Sequence, residues 1–392
     1  MNRRLSLPRS VDRFALYWQA AFWCVIVFST LKSLKLPMPY AASHYFLTYE
    51  EGFVKRGLTG AFLDGLGVEP TYAMVTVLGA VFYGALLIGV GCICASFIRS
   101  GSLVLSAATI VYAASISVVY LAGSLGYLDH LLVVLVLGVI WTQTVWGRVW
   151  SGLVLGSSAV LIHEGSLLLV LPVCYFAIFV AARPRGEAVA VLMAGAVATV
   201  HLVLTYLVVV FGGLPDEGVA KLRDSMQAIA DFDLTSLLFE VISEKGASSL
   251  SALRTDIGLI AHVDSIVIVA PSLVALLLLF WTITRMGRMG GLTLALGILA
   301  ALAPMTLRFV ATDIQRWDAM SILMAFLVVF VAWGAAGKPL PEPAVERWMV
   351  PLFVVAIAIS SGTKTFMVSH QEVDLYPFFE ARQSLLYYLG QR

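Results

Sequence analysis

The chain has 392 residues, of which 60% are hydrophobic and only 12% are charged, whereas a soluble domain carries about 25% charged residues. This composition excludes a chain built of soluble domains. The long apolar runs predict instead an all-α fold, a polytopic bundle of transmembrane helices that forms one membrane domain over residues 1–392. The formal net charge is +1, which gives no support for a nucleic-acid partner.

The apolar runs predict about eleven membrane passes. They cover roughly 14–31, 72–97, 102–122, 130–147, 150–162, 166–182, 187–211, 265–284, 290–306, 319–336 and 348–362. The run between Arg148 and Arg183 is too long for one crossing of a bilayer core of about 30 Å at about 1.5 Å per residue. It is therefore predicted to form two short passes that meet at a turn around Glu164.

Arginines indicate the orientation of these passes. Arg3, Arg4, Arg9 and Arg13 precede the first apolar run, and because positive residues are retained on the inner side, the N-terminus is predicted to be cytoplasmic. The run 14–31 is interpreted as a retained signal anchor. Eleven passes then place the C-terminal tail in the periplasm, and the excess of arginine over lysine favours a protein of the bacterial inner membrane.

The first predicted periplasmic loop, residues 32–71, contains the densest polar cluster of the chain, Glu50-Glu51 followed by Lys55 and Arg56. A carboxylate at the membrane face can act as a general base on an acceptor hydroxyl or can hold a divalent metal ion. The two cations suit phosphate oxygens. The alternative is a solvated loop with an internal Glu–Arg pair.

Two acid–histidine dipeptides lie at the ends of predicted passes. Asp129-His130 is either an oriented base or ligand, or an interfacial cap in which Asp129 is the helix N-cap. His163-Glu164 lies between two short passes, where an interrupted helix is tolerated only beside a cavity or buried in protein. Glu164 is therefore a candidate ligand or base, and the alternative is a buried pair that fixes helix packing.

The segment between the ninth and tenth passes carries Arg308, Asp313, Arg316 and Trp317. The arginines can bind a phosphate or pyrophosphate, and Trp317 can anchor at the interface or stack on a sugar. The alternative is a set of Arg–Asp pairs. The predicted catalytic residues are thus Glu50 and Glu51, and the predicted substrate-binding residues are Lys55, Arg56, Asp129, His130, His163, Glu164, Arg308, Asp313 and Arg316.

The longest predicted periplasmic loop, residues 212–264, is predicted to contain two amphipathic helices, because apolar residues recur at helical spacing and charged residues fill the other faces. The apolar residues are Val219, Leu222, Met226 and Ile229 in the first helix and Leu234, Leu237, Leu238, Val241 and Ile242 in the second. These helices either lie on the bilayer surface or pack against the other loops.

The layout of many passes with an acidic first loop resembles the GT-C class of polyprenyl-phosphate-dependent glycosyltransferases. The string from Gly52 to Leu58, GFVKRGL, also resembles a motif in membrane proteins of bacterial polysaccharide clusters. The resemblance implies that Glu50 or Glu51 is the catalytic base. It further implies transfer of a sugar from a polyprenyl-phosphate-linked donor to a membrane or glycan acceptor at the periplasmic face. The cofactor that the first-loop carboxylates themselves suggest is a divalent metal ion.

Two other functions remain open. A secondary transporter or flippase for a lipid-linked or anionic substrate would use Glu164, His163 and His201 as a path through the membrane. A non-catalytic scaffold of an envelope assembly would need none of the predicted catalysts. No Walker A, G-x-S-x-G, H-E-x-x-H or G-x-G-x-x-G motif is present, which argues against ATP-driven pumping and triad hydrolysis.

Overall fold

The computed structural model describes residues 9–243, 259–309, 313–339 and 343–361. Within these ranges the protein is all-helical, as the composition predicts, with one isolated bridge between Leu214 and Ser243. The α-helices are α1 (Arg9–Ser33), α2 (Pro39–Ser43), α3 (Leu58–Gly65), α4 (Tyr72–Arg99), α5 (Leu103–Ala114), α6 (Ile116–Gly123), α7 (Asp129–Trp141), α8 (Val145–Ile162), α9 (Ser166–Leu169), α10 (Leu171–Ala182), α11 (Glu187–Phe211), α12 (Asp216–Ile229), α13 (Ser236–Ile242), α14 (Leu259–Met286), α15 (Gly290–Thr306), α16 (Ile314–Ala335) and α17 (Pro343–Ser361).

In the described ranges, eight helical segments are long and apolar enough to cross a membrane, so the chain is a multi-pass membrane protein. They are Arg13–Ser33, Tyr72–Arg99, Leu103–Gly123, Val145–Ile162, Glu187–Phe211, Ile268–Met286, Gly290–Phe309 and Ile314–Ala335. Asp129–Trp141 and Arg347–Ile359 are shorter apolar helices. Each of the eleven predicted passes overlaps a helix, but only these eight have the length and hydropathy of a full crossing, so the number eleven stays a prediction.

Polar residues end one of the early predicted passes sooner than expected and break another in its middle. The predicted pass 130–147 extends too far, because α7 ends at Trp141 and Thr144 caps α8 by accepting a hydrogen bond from the N–H of Gly147 at 3.0 Å. The third pass is broken at Ser115, whose hydroxyl donates to the last turn of α5 and accepts from the first turn of α6. Such a break is tolerated inside a membrane where protein surrounds it, and both helices are buried.

The chain reverses direction at the turn His163–Gly165. Helices α8 and α10 pack side by side, and the guanidinium of Arg148, near the start of α8, donates to the carbonyl oxygen of Ala177, near the end of α10, at 3.1 Å. The two helices are therefore antiparallel. This geometry agrees with two short passes and excludes a single kinked helix over 150–182.

Helix α16 lies at the centre of the bundle. It packs against α14, α15, α6 and α10, and most of its side chains are buried. The ring of Phe326 stacks on Tyr112 with centroids 4.6 Å apart and meets Phe97 edge-on at 5.7 Å. These buried contacts fix α16 against its neighbours, so α16 is a rigid support for the polar residues of its first turn.

The turns between helices collect at two ends of the bundle, named here after Arg316 and Arg148. At the Arg316 end, the first loop is tied to the end of α11 by a hydrogen bond from the N–H of Lys55 to the oxygen of Gly212 at 3.0 Å. The predicted assignment of this end to the periplasm remains a prediction. The C-terminal tail, 363–392, on which the topology prediction depends, lies outside the described residues.

The loop 212–264 packs against the first loop through α12 and α13. The buried apolar residues of these helices are Leu222, Met226, Leu238, Phe239 and Ile242. Between the helices, the ring of Phe232 meets Phe46 and Tyr72 edge-on, each at 5.6 Å. Residues 244–258 lie outside the described part of the loop, and contact of α12 and α13 with a bilayer surface remains a prediction.

Candidate functional site

Arg56 is the centre of a hydrogen-bond network at the Arg316 end. Its Nε and Nη2 donate to the two carboxylate oxygens of Glu164 at 3.1 and 2.6 Å, in bidentate geometry. Its Nη1 lies 3.1 Å from both the Tyr40 hydroxyl and Nε2 of His44. The pair of Arg56 and Glu164 joins the first loop to the turn after α8, and the two residues are 108 positions apart in the sequence.

Burial and the charge of Arg56 determine the protonation of this network. Burial would raise the pKa of Glu164, but the guanidinium outweighs it and holds that pKa well below its usual range. Burial and the same guanidinium lower the pKa of His44 to about 3. The neutral His44 ring donates from Nδ1 to the carbonyl oxygen of Tyr40 at 2.8 Å, which leaves Nε2 as the acceptor for Arg56. The charged pair of Arg56 and Glu164 is therefore hydrogen-bonded to two neutral side chains, Tyr40 and His44.

Arg56 has a backbone conformation that L-residues rarely adopt. Its φ is +64°, in the left-handed region, where a non-glycine residue costs on the order of 1–3 kcal/mol. The next residue, Gly57, is the one that could adopt it freely. The guanidinium contacts thus outweigh the strain, and strain of this kind concentrates at functional sites.

Glu50 and Glu51, the predicted catalytic carboxylates, lie at the exposed tip of the first loop. The flanking rings of Tyr49 and Phe53 stack on each other at 5.7 Å. Neither glutamate forms a hydrogen bond or ion pair with another residue in the described ranges. The alternative of a Glu–Arg pair within the loop is wrong, because the carboxylate that binds Arg56 comes from the turn after α8.

Lys55 is a buried cation that forms no ion pair in the part of the chain that the structure describes. Its exposed fraction is 9%, and it packs against Gly212 at the end of α11. Its ammonium is not one of the fully buried polar atoms without a hydrogen-bond partner, so an anion bound at this end can reach it.

Arg316 and Asp129 form a second bidentate pair, across 187 residues. Nε and Nη2 of Arg316 donate to the carboxylate at 2.8 and 2.5 Å. The rings of Tyr127 and Trp317 lie 5.5 and 4.8 Å from the guanidinium carbon, so Trp317 covers Arg316 and is only 4% exposed. The predicted N-cap role of Asp129 is wrong: Leu128 is the N-cap of α7, and Asp129 follows it, where the helix dipole favours a carboxylate.

Arg308 and Asp318 form the third pair. Nε of Arg308 donates to Asp318 at 2.6 Å and Nη2 contacts the second oxygen. Both side chains are largely buried. We call Arg56–Glu164, Arg316–Asp129 and Arg308–Asp318 the arginine cluster. The interpretation of 308–318 as a set of Arg–Asp pairs is correct for Arg308, whereas Arg316 takes its partner from α7.

The two predicted site histidines hold turns in place. The ring nitrogens of the buried His130 lie 3.1 and 2.8 Å from the carbonyl oxygens of Tyr127 and Leu121, across the turn from α6 to α7. Nδ1 of His163 accepts the N–H of Gly165 at 3.0 Å. Burial, together with the adjacent guanidinium, lowers the pKa of His163 well below its usual value, so its ring is neutral at pH 7.

Asp313 lies at the N-cap of α16, beside the arginine cluster. Within the described ranges no arginine binds its carboxylate, and its side chain makes no capping hydrogen bond. Burial raises the pKa of Asp313 to about 6, with a further increase from Asp129 and an opposing effect of Arg316. A carboxyl group with a pKa close to neutrality is suited to proton transfer.

Aromatic rings connect the two halves of the site. The ring of Tyr40 lies 4.8 Å from His44 and 6.2 Å from Tyr127, so the network around Arg56 is contiguous with the surroundings of Arg316. Sequence reasoning missed these three residues as site components. A signal existed for Tyr40 and His44, because residues four apart share one face of a helix, and Pro39 favours a helix start at this point.

An apolar groove of about 570 Å³ runs along the bundle between α10, α11 and α15. Residues along it include Leu168, Tyr175, Gly195, Leu296, Leu299 and Thr306. Leu168 follows Glu164 by four residues, and Thr306 precedes Arg308 by two. The groove therefore extends from the membrane-spanning region toward the arginine cluster.

No group of three or more His, Cys, Asp or Glu side chains that could hold a metal ion occurs in the described ranges. Glu50 and Glu51 would therefore need further ligands from outside those ranges, from water or from a substrate to hold a divalent ion. Comparison with protein-family models, with curated proteins and with solved structures gives no match for this chain.

Proposed function

We propose that the chain is a membrane glycosyltransferase that uses a polyprenyl-phosphate-linked sugar as donor and a hydroxyl of a membrane or glycan acceptor. One observation carries the proposal: an apolar groove approaches a cluster of cations at one end of a helical bundle. An isoprenoid chain matches the apolar lining of the groove. A phosphate or pyrophosphate is the anion that arginine and lysine side chains bind well.

The cations of this end retain donors for a phosphate. In their pairs with aspartate, Arg308 and Arg316 use Nε and Nη2, and Nη1 of each forms no hydrogen bond with a described residue. Lys55 adds an ammonium without an acidic partner in those ranges. A phosphate bound here would accept hydrogen bonds from these groups without breaking the existing pairs.

Transport is less well supported than transfer. A path through the membrane needs ionisable groups within the bundle. Of the three residues predicted for such a path, Glu164 is engaged by Arg56 and His163 by the turn in which it lies. His201 is bound through Nδ1 to the hydroxyl of Tyr175 at 3.0 Å and forms no ion pair in the described ranges.

Lipid binding tests the first half of the proposal. The purified protein in nanodiscs should bind decaprenyl phosphate at least 10-fold more tightly than the uncharged decaprenol, as read by native mass spectrometry. Gly195→Phe should weaken binding of the phosphate lipid, because Gly195 lines the groove and open space lies where its side chain would begin. Gly84→Phe is the matched control, since Gly84 of α4 also faces open space but lies away from the groove.

Transfer tests the second half. Deletion of the gene should remove a glycolipid or glycan product from the cell envelope, and the wild-type chain should restore it. An unchanged glycan profile would contradict the proposal. Uptake of the lipid-linked substrate by reconstituted vesicles, driven by a proton gradient and without a new glycosidic bond, would establish the transporter instead.

A further inference from the structure

Asp313, a carboxylate next to the arginine cluster, has no arginine partner among the described residues. Glu164, Asp129 and Asp318 are each held by a bidentate guanidinium. A carboxylate held in this way is a poor proton acceptor, because the guanidinium stabilises its charged form. Asp313 stands three residues before Arg316 and has no such partner in the described ranges.

Helix capping does not account for Asp313 either. Aspartate is a preferred N-cap residue because its side chain can accept a hydrogen bond from the first turn. Asp313 occupies the N-cap position of α16, yet its side chain makes no such bond. The residue is partly exposed, so a bound molecule can reach it.

The groups around Asp313 come from its own helix and from the α6–α7 region. Arg316 acts on it from α16, and Asp129, Tyr127 and Tyr120 act on it from α6, α7 and the turn between them. The hydroxyl of Tyr120 is buried and finds no hydrogen-bond partner among the described residues. Arg316 neutralises Asp129, whereas Asp313 has no arginine partner among the described residues and remains available to a substrate.

We propose that Asp313 is the general base of the sugar transfer, an inference that rests on the proposed function. The carboxylate takes the proton of the acceptor hydroxyl while the acceptor oxygen forms a bond to the anomeric carbon of the donor sugar. The bond between that carbon and the phosphate oxygen breaks, and its electron pair leaves with the polyprenyl phosphate or pyrophosphate. The adjacent guanidinium groups and Lys55 stabilise the leaving anion, and the proton then passes from Asp313 to water.

This assignment competes with the one implied by the family resemblance. Glu50 and Glu51 lie at an exposed loop tip, outside the network of Arg56. Asp313 stands three residues before Arg316 at the start of α16, and it interacts electrostatically with Arg316, Asp129 and Tyr127. A base must approach the phosphate ligands, and Arg316 is one of the proposed ligands.

The test uses membrane vesicles from the deletion strain that carry the full-length chain, because such vesicles contain native donors and acceptors. Product is the glycolipid or glycan band that deletion removes. Asp313→Asn should lower the initial rate on the order of 100-fold or more, the usual contribution of a general base. Binding of decaprenyl phosphate should stay within about 3-fold of wild type, because the cations that would hold the phosphate are intact. The matched control is Asp64→Asn, an exposed aspartate of α3.

A pH profile separates a base from a structural residue. The wild-type rate should fall as pH drops below about 6, where Asp313 becomes protonated. His44 does not account for this limb, because burial and Arg56 lower its pKa to about 3. The residual rate of Asp313→Asn should lack the limb, whereas Asp64→Asn should keep it.

The outcomes distinguish the two proposals. If Asp313→Asn keeps the full transfer rate, or if its rate still falls below about pH 6, Asp313 is not the base. The proposed function would still stand. In that event, loss of product in Glu50→Gln or Glu51→Gln would return the role to the first loop. Parallel loss of rate and of decaprenyl phosphate binding would make Asp313 a structural residue. Absence of both product and lipid binding in the wild-type chain would refute the proposed function itself.

Discussion

The two ends of the bundle use arginine in different ways. At one end, Arg148 donates to the main-chain carbonyl oxygens of Thr142, Ala177 and Ile140 at 2.8, 3.1 and 3.2 Å. At the other end, the arginine cluster binds carboxylates that come from other segments of the chain. The bonds to Ile140 and Thr142 satisfy carbonyl groups at the C-terminus of α7, which a helix leaves unpaired, and the bond to Ala177 ties α8 to α10.

The second arrangement satisfies no main-chain carbonyl group of a described residue and instead pairs charged side chains from different segments. A buried ion pair is often no more stable than a pair of apolar side chains of similar volume, whereas breaking it by removing one partner is strongly destabilising. Three such pairs at one end therefore point to function there, whereas Arg148 at the other end, like Arg183 with its bond to the carbonyl oxygen of Arg288, points to folding. Substitutions at the two ends should therefore affect transfer and stability differently.

The largest effect is expected for Arg316→Met, which leaves the buried Asp129 without its partner. The free energy of unfolding should fall by about 3–5 kcal/mol, measurable by denaturation in mixed micelles. The double variant Asp129→Leu, Arg316→Met should recover most of this stability and still lack transfer. A double variant as unstable as Arg316→Met would show that the pair is required for the fold.

Acid should destabilise the Arg316 end through His44. Its folded-state pKa of about 3 lies below the ordinary value of 6.5, so the unfolded chain binds the proton first, and stability is lost as pH falls from about 6.5 toward 3. Between pH 7.5 and pH 5 the loss due to this residue is about 2 kcal/mol. His44→Gln should show a smaller decrease over the same interval, and an equal decrease would contradict the neutral ring.

Two substitutions at Arg56 test the strain of its backbone, and the expected difference in unfolding free energy between them is smaller. Arg56→Gly and Arg56→Ala both lose the pair with Glu164, but glycine relieves the left-handed φ. Arg56→Gly should therefore be more stable than Arg56→Ala by about 1 kcal/mol. Equal unfolding free energies would mean that the loop relaxes once the guanidinium is removed.

The smallest effect on function is expected at the Arg148 end. Arg148→Gln should lower stability by about 1 kcal/mol, since it removes hydrogen bonds to main-chain carbonyl groups, and should leave the transfer rate per folded molecule unchanged. The vesicle assay gives the transfer rate when product is divided by folded protein, and denaturation in mixed micelles gives the free energy of unfolding. A specific loss of transfer in Arg148→Gln would remove the functional difference between the two ends.

Hydropathy was sufficient to predict the helices because the apolar signal of a membrane helix is local. Each predicted pass overlaps a helix, and the reversal near Glu164 followed from the basic residues at both flanks. The C-terminal end of α7 and the break at Ser115 were not predicted, because short polar caps decide them and hydropathy averages over a longer window.

The residues of the site were easier to predict than their partners. Arg56 was predicted as part of the polar cluster in the first loop and Glu164 as part of the His163-Glu164 dipeptide, but their pairing across 108 residues depends on how α8 packs. Glu50 and Glu51 were selected because adjacent acids are conspicuous in a sequence, and sequence alone does not distinguish an exposed loop tip from a buried site. Asp313 was predicted as a substrate-binding residue, and its lack of an arginine partner in the described ranges became visible only in three dimensions.

The pair between Arg316 and Asp129 also sets an order for biosynthesis. Asp129 is synthesised 187 residues before Arg316, an interval of roughly 10–40 s at about 5–20 residues per second. Throughout that interval α7 has a carboxylate in its first turn and no Arg316 to neutralise it. The arrival of α16 at the translocation machinery is therefore the event that allows the polar end of the bundle to close, so the central helix of the fold is one of the last to be made.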